Sequence, residues 1–157
     1  MEHKNENYQK DIEILKKGSI CKYFKQSILN DDIVWFENRG YEIIQINTKN
    51  WTSSNFYKNI KDALNFPDYF GENLNAFKDN LSDLFHQKNN GLVIVFNDYK
   101  LAEVIIDIIA DESRLWFIEG KKLFAFLQSN NPHLELPKIG GFIPEWNSDE
   151  WFNSDRE

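Results

Sequence analysis

Two kinds of apolar run alternate along the chain, and their alternation predicts strands separated by helices. Four short runs are rich in β-branched, leucine and aromatic residues and are bounded by turn-forming residues, which is typical of strands. These four runs are 20–24, 41–46, 92–96 and 123–127. The run 92–96 is continuously apolar, as expected of a parallel strand that is covered by helices on both faces.

Between these runs, apolar residues recur at three- and four-residue spacing, which predicts amphipathic helices. The predicted helices are one capped by Asn30 or Asp31 and stopping at Gly40, one capped by Thr52 or Ser53 and ending before Pro67, one from Leu74 to about Phe85, and one over 101–118 that ends before Gly120. Parallel strands need crossover connections, and the helices supply them. The order therefore predicts an α/β fold, with a small parallel sheet of three or four strands flanked by helices.

The pattern divides the chain into three parts. Residues 1–39 are predicted to be an N-terminal extension that could form an added β-α unit, and residues 40–128 carry the regular alternation. Residues 129–157 contain three prolines, a Gly-Gly pair and many carboxylates, so we expect an irregular acidic tail that packs loosely or is disordered.

Composition narrows the class of protein. The net charge is −7, which disfavours a nucleic-acid partner and favours a basic protein. Cys21 is the single cysteine, which excludes an intrachain disulfide and suits a reducing compartment. We expect a cytoplasmic protein with no membrane partner, because no apolar run approaches the roughly 20 residues of a membrane helix.

Residue patterns for catalysis are missing. His3, His86 and His133 lie far apart, and no metal-binding, phosphate-binding or nucleophile motif is present. We therefore predict no catalytic residues, no metal, no cofactor, no small-molecule substrate and no enzymatic activity. A small hydrolase whose site is assembled only in three dimensions stays open at this point.

The segment 66–81, FPDYFGENLNAFKDNL, combines aromatics, a glycine and carboxylates in a loop that leads onto a helix. On that helix Asn75, Asp79, Ser82 and Asp83 form a polar stripe opposite the apolar positions, which indicates either plain solvation or a recognition surface. The ungapped pattern resembles the core signature of the barstar family, small proteins that block the active sites of guanyl-type ribonucleases. The resemblance extends over roughly residues 40–128.

This resemblance implies a barstar-like fold and a basic ribonuclease as partner, in an immunity or antitoxin role. The partner-binding positions that it implies are Tyr69, Phe70, Gly71, Asn73, Leu74, Asn75, Lys78, Asp79 and Ser82. Asp79 is the leading candidate, because its carboxylate could replace a substrate phosphate in a cationic pocket. Asn73 could also cap the helix, and Gly71 could serve a positive φ or a close approach.

Three departures from the family pattern leave an alternative open. Asn75 and Lys78 stand where well-known members have an aspartate and a tryptophan, and the family's further acidic contact has only Glu112 and Glu119 as candidates. The alternative is a barstar-fold adaptor that binds a protein other than a nuclease.

Overall fold

A parallel sheet forms the centre of the molecule. The computed structural model describes residues 9–151 and residue 153. The strands are β1 (Ile20–Tyr23), β2 (Glu42–Asn47), β3 (Gly91–Asn97), β4 (Lys122–Gln128) and β5 (Glu145–Trp146). Within the described residues they form one sheet in the order β2-β3-β4-β1-β5, and every named pair is parallel. The α/β class and the four predicted strands are confirmed, and the two-residue β5 raises the strand count to five.

Helices cover both faces of this sheet. They are α1 (Lys10–Leu15), α2 (Gln26–Asn38), α3 (Phe56–Leu64), α4 (Leu74–Asp83) and α5 (Glu103–Ile118), with short 3-10 turns at Leu84–Gln87 and Ser148–Glu150. Helices α3, α4 and α5 pack on one face, and α1 and α2 pack on the other. Side chains of β3 alternate accordingly, since Leu92, Ile94 and Phe96 join the first core and Val93 and Val95 join the second.

The β1-α2 unit belongs to this sheet, because β1 hydrogen-bonds to β4 on one side and to β5 on the other. Helix α2 begins at Gln26, so the predicted start at Asn30 or Asp31 is wrong. A distant residue helps to fix this start. The Glu150 carboxylate accepts hydrogen bonds from the backbone N–H groups of Phe24 and Lys25, at 3.0 and 2.7 Å.

A buried polar cluster joins the two terminal segments to the sheet. Lys10 of α1 forms an ion pair with Asp32 of α2, whose other carboxylate oxygen accepts a hydrogen bond from the Tyr23 hydroxyl at 2.6 Å. Asn147 donates to the same oxygen at 3.0 Å. Asn147 and Glu150 are buried, so the part of the tail around β5 packs against the sheet and is not loose, whereas residues 129–144 form no helix or strand and are mostly exposed. Residues 154–157 lie outside the described part.

Candidate protein-binding surface

Two buried phenylalanines hold the loop that precedes α4. Phe66 and Phe70 pack against each other with ring centroids 5.1 Å apart, and Phe66 also packs against Phe77 of α4 at 6.4 Å. The Phe70 backbone N–H donates to the Pro67 carbonyl at 2.9 Å, which closes a turn. With the rings on both sides fixed in the core, the Tyr69 side chain points outward and is 83% exposed.

Phe70 differs from its sequence-based interpretation. The family resemblance implies that Phe70, like Tyr69, is a partner-binding position, but Phe70 is only 7% exposed and its ring belongs to the core. Its ring therefore supports the loop from beneath, and of the two neighbouring aromatics only Tyr69 exposes its ring to solvent.

The helix itself starts at a defined cap. The Asn73 side chain accepts a hydrogen bond from the Ala76 backbone N–H at 2.8 Å, so the predicted cap is confirmed. Gly71 lies close to this first turn. A Cβ at Gly71 would be 3.2 Å from the Asn73 amide nitrogen and 3.4 Å from the Ala76 Cβ. Close approach, and not a positive φ, is what this glycine serves.

The two sides of α4 differ in polarity. Phe77 and Leu81 are fully buried in the core, and Asn80 donates to the Ala76 carbonyl of its own helix at 2.8 Å. The opposite side is exposed and carries the remaining predicted positions, namely Leu74, Asn75, Lys78, Asp79 and Ser82. The predicted positions thus lie on one continuous loop and helix, with Gly71 and Asn73 at its bend, and Phe70 alone among them is buried.

The Asp79 carboxylate is exposed and forms no ion pair or hydrogen bond with another described residue. Three further carboxylates of the same segment, Asp68, Glu72 and Asp83, are also exposed, and Lys78 is the only basic residue between 66 and 83. We refer to the exposed side chains of residues 66–83 as the acidic surface. Asp68 and Glu72 belong to the motif but are not among the predicted partner-binding positions. Their place beside Pro67 and Gly71, which are typical of turns, is the sequence signal that could have added them.

Glu112 of α5 lies directly behind the acidic surface. Its side chain is 1% exposed, and its Oε2 atom has no hydrogen-bond partner among the described residues. Burial raises the pKa of this carboxyl, and the positive charge of Lys78 and a hydrogen bond from Ser82 partly oppose that rise. Glu112 is therefore not an exposed acidic contact, whereas Glu119, at the end of α5, is exposed.

Among the described residues, no three His, Cys, Asp or Glu side chains come together in a way that could hold a metal ion. The same part of the chain has no helix with the length and apolar character required to cross a membrane.

The fold and this surface define an α/β domain whose loop and adjoining helix present carboxylates to solvent. Residues 41–128 match the family model described as barstar, the barnase inhibitor. The match covers more than half of the 157 residues, so the chain belongs to the barstar family, a family of ribonuclease inhibitors. Comparison with curated proteins finds no match.

Proposed function

We propose that this chain is a cytoplasmic inhibitor of a basic guanyl-type ribonuclease, acting as an immunity protein or antitoxin. It covers the nuclease active site with the acidic surface and catalyses no reaction of its own. The observation that carries the proposal is the Asp79 carboxylate, which is exposed on a capped helix and unpaired among the described residues.

A carboxylate in this setting suits a site that binds phosphate. Ribonuclease active sites hold the RNA backbone with cationic side chains, and charge-assisted hydrogen bonds to a carboxylate are stronger than neutral ones. If Asp79 formed an ion pair within the protein, that pair would have to break before the carboxylate could bind such a site. Asp79 forms no ion pair with a described residue, so its binding to a partner does not carry this cost.

Two further exposed side chains of the acidic surface shape the contact. Tyr69 supplies a large ring at the loop tip, and such aromatic anchors are enriched among the residues that dominate binding energy. The charge of Lys78 opposes a basic partner, but the four carboxylates of the segment outnumber it and keep the acidic surface negative.

The test is a titration of the cognate ribonuclease with Asp79→Ala. We expect affinity to fall by more than about tenfold, because a hydrogen bond to a charged group contributes roughly 1.5–3 kcal/mol. The melting temperature should stay close to that of the wild type, since Asp79 is exposed and has no hydrogen bond or ion pair with another described residue for its loss to break. Asp31→Ala is the matched control, an exposed helical carboxylate on α2 at the opposite face of the sheet.

Equal affinities for the wild type and Asp79→Ala would contradict this role.

The exposed Asn75 and Lys78 favour the second candidate, a barstar-fold adaptor for a protein that is not a nuclease. Binding to such a protein through Asn75 and Lys78, together with failure to inhibit any guanyl-type ribonuclease, would support the adaptor instead.

A further inference from the structure

A cavity of about 520 Å³ lies beside α5, away from the acidic surface. Ala110, Ser113, Arg114 and Phe117 line it, and their three- and four-residue spacing defines one stripe of the helix. Glu112, the α5 residue that interacts with Lys78 and Ser82 of α4, is not part of that stripe. One helix thus separates the cavity from the surface proposed for the nuclease.

The other walls come from outside the region that matches the barstar family. Helix α1 contributes Ile12 and Leu15, and the C-terminal tail contributes Ile139 and Phe142. The family match covers 41–128, so both of these segments, which supply part of the cavity lining, lie outside it. The cavity is in part a feature of this chain's additions to the family domain.

The cavity has the size and character of a small-molecule site. Ligand pockets commonly measure about 300–1,000 Å³ and are lined mainly by apolar side chains with a few polar groups. Here the apolar lining continues to the mouth, where Phe117, Phe142 and Ile118 are 53%, 48% and 76% exposed. Hydrocarbon that covered these side chains would remove a contiguous apolar area from water.

The two charged side chains that line the cavity are both basic, while Asp111 and Asp107 contact the lining residues Arg114 and Gly140 from outside it. Lys16 and Arg114 line it, and no Asp or Glu is among its described lining residues, although the whole chain carries a net charge of −7. Arg114 donates to the Gly140 carbonyl at 3.0 Å and pairs with Asp111, which lies outside the lining. Lys16 is exposed and forms no ion pair with another described residue, so its ammonium group is free to meet an anion.

We propose that this cavity binds a fatty-acid-like carboxylate. The hydrocarbon chain lies along the α5 stripe and against Ile12 and Phe142, and the carboxylate stays at the mouth beside Lys16 and Arg114. This arrangement leaves the charged head partly hydrated, which avoids the cost of burying it, and removes the chain from water. The ligand is held and not converted, and its binding does not depend on the proposed nuclease inhibition.

Calorimetric titration of the full chain with sodium dodecanoate, below the concentration at which it forms micelles, tests the proposal. We expect saturable binding of one dodecanoate per chain. The cationic dodecyltrimethylammonium should bind at least about tenfold more weakly, because it meets the two cations at the mouth. Lys16→Gln combined with Arg114→Gln should reduce that preference for the anion.

A matched pair of variants on α5 localises the site. Phe117→Ser removes apolar lining and should weaken dodecanoate binding by about tenfold, since each buried CH₂ contributes roughly 0.8 kcal/mol. Leu115→Ser is the control, because Leu115 is 50% exposed on the same helix but does not line the cavity. If Phe117→Ser fails to fold, Ile118→Asn replaces a more exposed lining residue. Asp79→Ala should bind dodecanoate as the wild type does, whether or not it still binds a nuclease.

Three results would overturn the proposal. These are absence of saturable dodecanoate binding, equal binding of the anionic and cationic amphiphiles, and equal losses in Phe117→Ser and Leu115→Ser. A concentration-dependent dimer that Phe117→Ser abolishes, seen by sedimentation without dodecanoate binding, would instead assign the cavity to a second copy of the chain.

Discussion

Two carboxylates near α4 have opposite surroundings. Asp79 is exposed and unpaired within the described residues, while Glu112 is buried, with one oxygen that has no hydrogen-bond partner there. An exposed carboxylate keeps its hydrating water, so its charge costs the fold little free energy. A buried carboxylate loses that water and destabilises the fold unless hydrogen-bond partners replace it. Asp79 is therefore available for binding, and Glu112 is a source of instability that Lys78 and Ser82 only partly relieve.

Glu112→Gln should stabilise the protein at pH 7. The pKa of Glu112 is raised in the folded state above its ordinary value of 4.5, so the folded chain holds this proton more tightly than the unfolded chain does. The contribution of Glu112 to the free energy of unfolding therefore falls as the pH rises from about 4.5, its pKa in the unfolded chain, through its raised pKa in the folded chain. We expect the substitution to add roughly 1 kcal/mol to the free energy of unfolding at pH 7 and almost nothing at pH 4.

Urea unfolding at the two pH values measures this difference. Glu119→Gln, which changes an exposed carboxylate at the C-terminal end of the same helix, serves as the control. A gain for Glu112→Gln of the same size at both pH values would show that ionisation of this group is not the cause.

At the scale of elements, the start of α4 fixes the direction of the acidic surface. Asn73→Ala removes the side-chain acceptor for the Ala76 N–H and should lower the free energy of unfolding by about 1 kcal/mol. Asn73→Asp keeps an acceptor at the same position and should retain most of the stability. Urea unfolding of the two variants without any partner checks the cap; equal losses in both would mean that the cap does not stabilise the helix.

The sequence predicted the elements whose signals are local. The run at 92–96 was assigned correctly because a strand buried on both faces is apolar at every position. The Asn73 cap was assigned correctly because the cap needs only one side-chain acceptor next to the first turn of the helix. The start of α2 was missed because its connection is held by Glu150, more than 120 residues away. The packing of the tail was missed for a similar reason, since Asn147 binds Tyr23 and Asp32.

The candidate surface was predictable to a similar degree. Helical spacing separates Asn75, Asp79 and Ser82 from the buried Phe77 and Leu81 without any structure. Spacing cannot show which of Tyr69 and Phe70 is buried, because side chains of neighbouring residues in a turn do not alternate with a fixed period. Only the packing of Phe70 against Phe66 shows which ring points inward.

At the scale of the whole molecule, the net charge of −7 predicts how quickly a basic partner is found. Long-range attraction between opposite charges raises association rates, and salt screens it over about 10 Å at 0.1 M. The association rate constant with the cognate ribonuclease should therefore fall steadily as sodium chloride is raised, in stopped-flow measurements. A rate that does not change with salt would remove electrostatic steering from the account.

The most direct measurement asks whether this chain and a nucleotide can occupy the nuclease together. A mononucleotide that fills the active site is added to the cognate ribonuclease at concentrations from none to saturating, and the apparent affinity for this chain is measured at each concentration. If the acidic surface covers the active site, apparent affinity falls in proportion to nucleotide occupancy and RNA cleavage stops at one chain per nuclease. A complex that forms equally well at every nucleotide concentration, or that still cleaves RNA, would contradict the central claim.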